Sequence, residues 1–269
     1  MSNVRPAAVA GAFYPDDPQV ILSAFSHWMP ERSETSVLEK PIPRALIVPH
    51  AGYIYSGEAA AKGYQLWRDA ASQIKTIVVM GPAHRVPFEG ITTISVDEVE
   101  TPLGNLQVDT ELRDVILSDC PQVGISDIAN APEHSLEVHF PFIKNVLPDA
   151  KVLPLLNGQV SAHDVMAVMQ RLWREEGVYF VISSDLSHFH TYGDAQRIDG
   201  ETAEAIRHGN WQVLNGEMAC GYKGIQGLLG IMYEHPMMIE QLGLINSGDT
   251  AGSKDRVVGY GTWAVYELQ

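Results

Sequence analysis

Three short apolar runs, each broken by polar residues at its carboxyl end, constrain this chain more than any other feature. Residues 45–48 (ALIV) run into Pro49-His50, residues 74–80 (IKTIVVM) into Gly81-Pro82-Ala83-His84, and residues 178–182 (VYFVI) into SSDLSHFH. A short, nearly continuous apolar run suits a strand buried on both faces, which belongs in a parallel sheet with helices packed on either side. A proline ends such a run because it cannot donate to the sheet ladder. In an open α/β sheet, the crevice at the carboxyl ends of the strands is where ligands bind. His50, His84, Asp185 and His188 all fall there. A histidine that only hydrogen-bonds in the interior is the plainer reading of any one of them. Recurrence at three strand ends carries the stronger one.

The remaining segments fit the same α/β plan. Asp17 caps a first helix with Pro18 at its opening position, and Val20, Ile21, Ala24, Phe25, Trp28 and Met29 recur at helical spacing. Residues 31–43 are polar, proline-punctuated and read as a loop. Ser56 is placed to cap the helix that follows His50. ITTISVDEVETPLGNLQVD alternates around a Pro-Leu-Gly turn, predicting a hairpin or an excursion from the main sheet. Asp109 caps a short helix, and residues 151–156 form a strand. Ser161 with Asp164 opens a helix that Gly177 closes, leaving His163 exposed. Residues 194–233 read as helices broken at Gly209 and around Gly221 and Gly227. A strand, a loop carrying Asp249 and a last strand over 257–266 end the chain.

At 269 residues with 45% hydrophobic content, the chain suits one domain, 1–269, with a sizeable core. Its 18 basic against 33 acidic residues give a net charge of −15, which disfavours nucleic acid and anionic membranes as partners. Cys120 and Cys220 form no metal or redox spacing and suggest a reducing compartment. No long apolar leader opens the sequence, so a cytoplasmic location is expected.

Two imidazoles and a carboxylate with open positions make the donor set that suits mononuclear non-haem Fe(II). His50, His84 and the Asp185 or Asp249 loops could supply it from separate strands. In segment 130–148, His134 and His139 lie five apart, roughly 140° around a regular helix, so the two do not share a metal there. A glycine-rich phosphate loop, a nucleophile elbow and zinc-finger spacing are all absent from the sequence.

GAFYP (11–15), PHAGYIYSG (49–57), GPAH (81–84), TPLG (101–104), EHSLEVHFPFI (133–143), SSDLSH (183–188) and VVGYG (257–261) follow in order across nearly the whole chain. By these motifs the sequence resembles the Memo family, also described as protein B of an AmmeMemoRadiSam system. That family is similar in fold to class III extradiol dioxygenases. The resemblance implies a largely parallel mixed sheet with helices packed on it and a pocket at its strand ends. His50 and His84 would be metal ligands, with Asp185 and His188 as catalytic pocket residues and His188 as the acid–base group. Tyr53, His134 and Glu137 would face a substrate, although Glu137 could instead orient a histidine or simply be helix polarity. Eukaryotic relatives carry a cysteine ligand in the loop before the last strand. Asp249 stands in that neighbourhood here, so either Asp249 is the third ligand or the site holds metal less well.

Three functions follow from this reading. One is a metal-dependent oxidoreductase of the extradiol type using Fe(II), with copper or zinc as alternatives, on an unknown small molecule. The second is a non-catalytic module that binds a metal or a peptide. The third is a role beside a radical-SAM partner system, which the family name alone implies. Fold does not choose among them.

Overall fold

The computed structural model describes residues 3–30 and 41–268. Residues 31–40 of the expected loop lie outside the described residues. The strands, in chain order, are β1 (Val4–Arg5), β2 (Ala45–Val48), β3 (Thr76–Pro82), β4 (Ile91–Thr93), β5 (Glu98–Val99) and β6 (Leu106–Gln107). They continue with β7 (Val123–Ile125), β8 (Lys151–Asn157), β9 (Val178–Ser183), β10 (His188–His190), β11 (Met237–Asn246) and β12 (Val257–Glu267). The α-helices are α1 (Pro18–Trp28), α2 (Tyr53–Tyr64), α3 (Thr110–Asp119), α4 (Asp127–Asn130), α5 (Phe140–Val146), α6 (Ala162–Trp173), α7 (Tyr192–Arg207) and α8 (Tyr222–Gly230).

The main sheet runs β10-β12-β2-β9-β3-β8-β4-β7, with β11 also paired to β12. Its centre, β2-β9-β3-β8, is parallel throughout, with Val48 opposite Ser183 and Met80 opposite Ile182. The outer strands add antiparallel pairings at β12 with β2 and at β8 with β4, so the sheet is mixed but parallel where it is most buried. The expected excursion is real: β5 and β6 pair antiparallel and, with β1, form a separate three-stranded sheet. Among the described residues no helix is long and apolar enough to cross a membrane.

Alternation along each central strand divides the core into two layers, because successive side chains point to opposite faces. Leu46, Val48, Ile77, Val79 and Val181 pack with Ile21, Phe25, Tyr64 and Phe142 from α1, α2 and α5. Ala45, Ile47, Val78, Met80 and Ile182 pack with Val165, Val168, Met169, Ile225 and Leu228 from α6 and α8. Burying each side chain of this size contributes about 1.5–3 kcal/mol.

The helix starts follow capping chemistry. The side chain of Asp17 accepts from Gln19 N, Asp109 from Leu112 N and Ser161 from Asp164 N. Two expectations need correction. The helix after His50 begins at Tyr53 with Gly52 as its cap, and Ser56 lies inside it, its hydroxyl donating to Ala51 O. On α1 the buried residues are Ile21 and Phe25, while Val20 is exposed.

Candidate metal centre

Strand order builds the site. β9 lies between β2 and β3, so its last residue, Ser183, and the Ser184 and Asp185 that follow it sit between the loop that carries His50 and the loop that carries His84. The two imidazole rings approach to 5.1 Å between centroids at 71°. The third contributor comes from far along the chain. Cys220, just before α8, places its Sγ 3.3 Å from His50 Nε2. One ligand atom each from His50, His84 and Cys220 lie within 4.8 Å of one another.

Gly221 makes this approach feasible. A Cβ at that position would come within 2.6 Å of Ser184 Cβ and still closer to Ser183 O, so only glycine lets the start of α8 press against the end of β9. Ser184 Oγ accepts from Gly221 N at 2.9 Å, and Cys220 N donates to Asp185 O at 3.2 Å. Together they fix the thiol against the strand ends.

Each histidine is held through Nδ1, which turns its other ring nitrogen toward the cluster. His84 Nδ1 lies 3.0 Å from Glu133 Oε1. Glu133 also takes backbone N–H groups from His84 and Arg85 on Oε2, and from His134 and Ser135 on Oε1. Burial alone would raise this carboxyl's pKa. The His134 and His84 side chains and the surrounding amides outweigh burial and hold it well below the usual carboxylate range. An ionised carboxylate only accepts, so His84 carries its proton on Nδ1 and leaves Nε2 free. His50 Nδ1 contacts Ser183 Oγ at 2.7 Å.

Burial disfavours the charged form of several other groups around the centre. Desolvation first, then the charges His84 and His134 would carry, push His50 well below its usual pKa. His139 falls to about 3 through burial and then His134. Burial raises the Cys220 thiol, with the Asp185 charge second. Asp185 is raised by burial as well, against the pull of the His50 N–H that it accepts at 2.8 Å.

A second group, His84, Glu133 and His134, also has metal-ligand atoms close together. Its carboxylate is already saturated by four amides and a ring nitrogen, which makes it a hydrogen-bond hub. His134 lies against the site, its ring 4.7 Å from that of His84 and 5.5 Å from that of His50. His139, five residues on, reaches the far side of His50 through Ser183, because the segment between is a single 3₁₀ turn.

Several residues expected at the site lie elsewhere in the structure. Asp249 is exposed and stays out of the cluster. Its Oδ2 accepts from Asn246 N at 3.0 Å and its Oδ1 from Tyr192 OH at 2.5 Å, so it closes a turn between β11 and β12. Asn-Ser-Gly-Asp is turn chemistry, and here it forms one. Tyr53 is core: its ring packs at tilted and edge-on angles against Tyr14, Phe25, Trp28 and Phe142, and its hydroxyl donates to Val138 O. Glu137 points away from the site and anchors the amino-terminal segment through Arg5, Ala8, Val9 and Tyr14. His188 sits half-buried on β10, near enough for its charge to act on Asp185. No hydrogen bond joins those two side chains among the described residues. Sequence reasoning missed Cys220. The one available signal was a cysteine directly before a glycine that opens a helix.

A cavity of about 710 Å³ adjoins the centre at Cys220. Its walls come from Pro82 and Ala83 at the end of β3, from Pro87 to Glu89 in the loop beyond, from Asn157 to Val160 at the end of β8, and from Tyr222 and Lys223 at the start of α8.

Comparison with known proteins places the chain in a wider group. The sequence profile described as Memo-like protein matches residues 5–264. The chain is 32% identical to a MEMO1 family protein of Aquifex aeolicus, covering 96% of this chain and 97% of that one. It is also 32% identical to one from Methanobrevibacter smithii over 96% and 98% of the two chains, and 30% identical to one from Thermoplasma volcanium over 96% of both. Among solved structures, an uncharacterized protein of Escherichia coli K12 superposes with a TM-score of 0.48 at 13% identity, over 80% of this chain and 98% of that one.

Proposed function

The chain belongs to the Memo-like protein family, and from that premise we propose that it binds a transition metal through His50 Nε2, His84 Nε2 and Cys220 Sγ. The observation that carries this is convergence: three ligand atoms from the loops after β2 and β3 and from just before α8 meet within 4.8 Å, with both ring Nδ1 atoms already occupied by oxygen partners. The donor set fits a metal, since imidazole and thiolate are the commonest protein ligands of zinc and copper and imidazole suits iron as well. The thiolate in place of a carboxylate moves the preference toward copper and zinc relative to the Fe(II) expected with Asp249. A bound ion would supply open coordination positions, with redox chemistry if it is iron or copper.

The protein's own residues do the rest. Asp185 accepts from His50 N and so fixes the loop that carries the ligand. The cavity beside Cys220 would enclose a small molecule and keep it against the centre. His188, half-buried on β10 and near Asp185, would carry the proton or orient the substrate, since imidazole is the side chain best matched to proton transfer near neutrality. An oxidoreductase on an unidentified small molecule is the catalytic form of this reading. One observation favours a non-catalytic metal- or peptide-binding module instead: Asp185 and His188 do not form a hydrogen-bonded acid–base pair.

Anaerobic elemental analysis, followed by oxygen uptake with catechols, separates these outcomes. Stoichiometric iron or copper with uptake supports the oxidoreductase, and metal without turnover supports the module. Protein that binds no metal when offered Fe(II), Cu(I) and Zn(II) in turn contradicts the proposal.

A further inference from the structure

We propose that Ser183 is a positioning residue of this centre, its hydroxyl fixing His50 in the one neutral tautomer that presents Nε2 to a metal. This rests on the metal reading above for its purpose, but not for its geometry.

The argument is a proton count. Ser183 Oγ meets three groups: Ser135 O at 2.6 Å, His50 Nδ1 at 2.7 Å and His139 Nε2 at 2.8 Å. Ser183 and His139 have no exposed surface and His50 only 1%, so solvent water does not reach these groups to compete. A carbonyl can only accept, so the single hydroxyl proton goes to Ser135 O. The oxygen then offers only lone pairs, and both ring nitrogens must bring their own protons. His50 is therefore protonated on Nδ1, and its Nε2 keeps a free lone pair facing Cys220 Sγ at 3.3 Å.

The count closes at the other end. With its proton on Nε2, His139 has a bare Nδ1, which accepts from Tyr64 OH at 2.9 Å. Tyr64 is itself fully buried. Each donor along the line from Tyr64 to His139 to Ser183 to Ser135 has one acceptor, and no member can change its proton without leaving another unpaired. Buried polar groups are costly to leave unpaired, so such a chain holds as a unit.

Its placement is rigid as well. Ser183 is the last residue of β9, in register with Val48 of β2, so the sheet and not a loop aims the hydroxyl. The two ligands thus differ: His84 donates to an ionised carboxylate, whereas His50 donates to a neutral hydroxyl.

The test begins with long-range ¹⁵N–¹H NMR of the histidine rings in metal-free wild type, which reads tautomers directly. The expected pattern is Nδ1–H for His50 and Nε2–H for His139. Finding His50 as Nε2–H overturns the proposal whether or not any metal binds, so its failure is separable from that of the metal reading. The second arm is Ser183→Ala, followed by the same spectra, thermal unfolding and a Zn(II) competition titration. The spectrum is expected to lose the pure Nδ1–H signature at His50, and Zn(II) affinity to fall ten- to a hundred-fold, the usual range for losing a partner that orients a ligand. A variant that merely melts earlier, with the His50 tautomer and Zn(II) affinity unchanged, contradicts the assignment. If Ser183→Ala does not fold, the wild-type spectrum alone decides.

Discussion

Glu133 and Glu137 lie four residues apart on one segment and are both essentially inaccessible to water, yet they serve different regions. Glu133 gives its oxygens to the site: to His84 and to the amides of the strand-end loops. Glu137 gives its oxygens to the amino-terminal segment, with Arg5 Nη1 at 2.7 Å and Ala8 N at 2.9 Å on Oε2, and Val9 N and Tyr14 OH at 2.8 Å on Oε1. The regions are joined through Arg5, whose guanidinium also donates to Asn130 O and Glu133 O. Both carboxylates are satisfied, so burial alone says nothing of role. What each donor is attached to decides it: the ring of His84 and the strand-end loops in one case, a chain end in the other.

Removing the anchor should have the largest effect. Glu137→Ala leaves the Arg5 charge buried without its partner, and breaking such a pair typically costs about 3–5 kcal/mol. The expected result in urea unfolding is a loss of that order, with Zn(II) bound per folded molecule unchanged. A selective loss of metal in a protein that keeps its stability would erase the distinction between the two glutamates.

A third buried carboxylate sharpens the comparison. Asp199 is 2% exposed, and its side chain takes a single backbone amide, from Ser187 N at 3.0 Å. Gly259 packs so tightly against this carboxylate that any Cβ there would overlap it. With so few donors, desolvation wins and lifts its pKa from 3.8 to about 6. Glu133, with many donors, moves the other way. The signs follow from which state holds the proton more tightly. Folded Asp199 keeps its proton over a window from about pH 4 to about pH 6 where the unfolded chain has lost it, so its contribution falls as pH rises through that window. Two pKa units correspond to roughly 3 kcal/mol. The contribution of Glu133 is present near neutrality and is lost on acidification. Stability measured from pH 4 to 7 should therefore fall less steeply with rising pH in Asp199→Asn than in wild type. Parallel curves would show that this carboxylate is not desolvated in the folded protein.

The smaller effect is on the site side. Glu133→Gln keeps the shape but removes the charge that holds the proton on His84 Nδ1, so Zn(II) affinity should drop ten- to a hundred-fold. Fold retention by circular dichroism with undiminished affinity would place Glu133 among the structural carboxylates, beside Glu137.

Much of this was legible in the sequence for local reasons. Apolar runs ending in proline or serine gave the central strands, and capping residues at Asp17, Asp109 and Ser161 marked helix starts, because each signal lies within a few residues of its effect. His50 and His84 could be named together since parallel strands share a carboxyl edge. Cys220 could not, because its meeting with His50 spans 170 residues and depends on Gly221 allowing a helix start to touch β9. Asp249 misled because a hard ligand and a turn-former are the same residue type. Glu133 and Glu137 were indistinguishable for a like reason: their donors arrive from distant segments, and no spacing within EHSLEVH encodes which.

The central claim is that the third ligand is the thiolate before α8 and not the carboxylate before β12. The direct measurement is anaerobic metal content and Zn(II) affinity for wild type, His50→Ala, His84→Ala, Cys220→Ser and Asp249→Ala, each checked for folding. The expected result is that the first three variants lose most of their bound metal while Asp249→Ala matches wild type. Metal retained by folded Cys220→Ser but lost from Asp249→Ala would contradict the account.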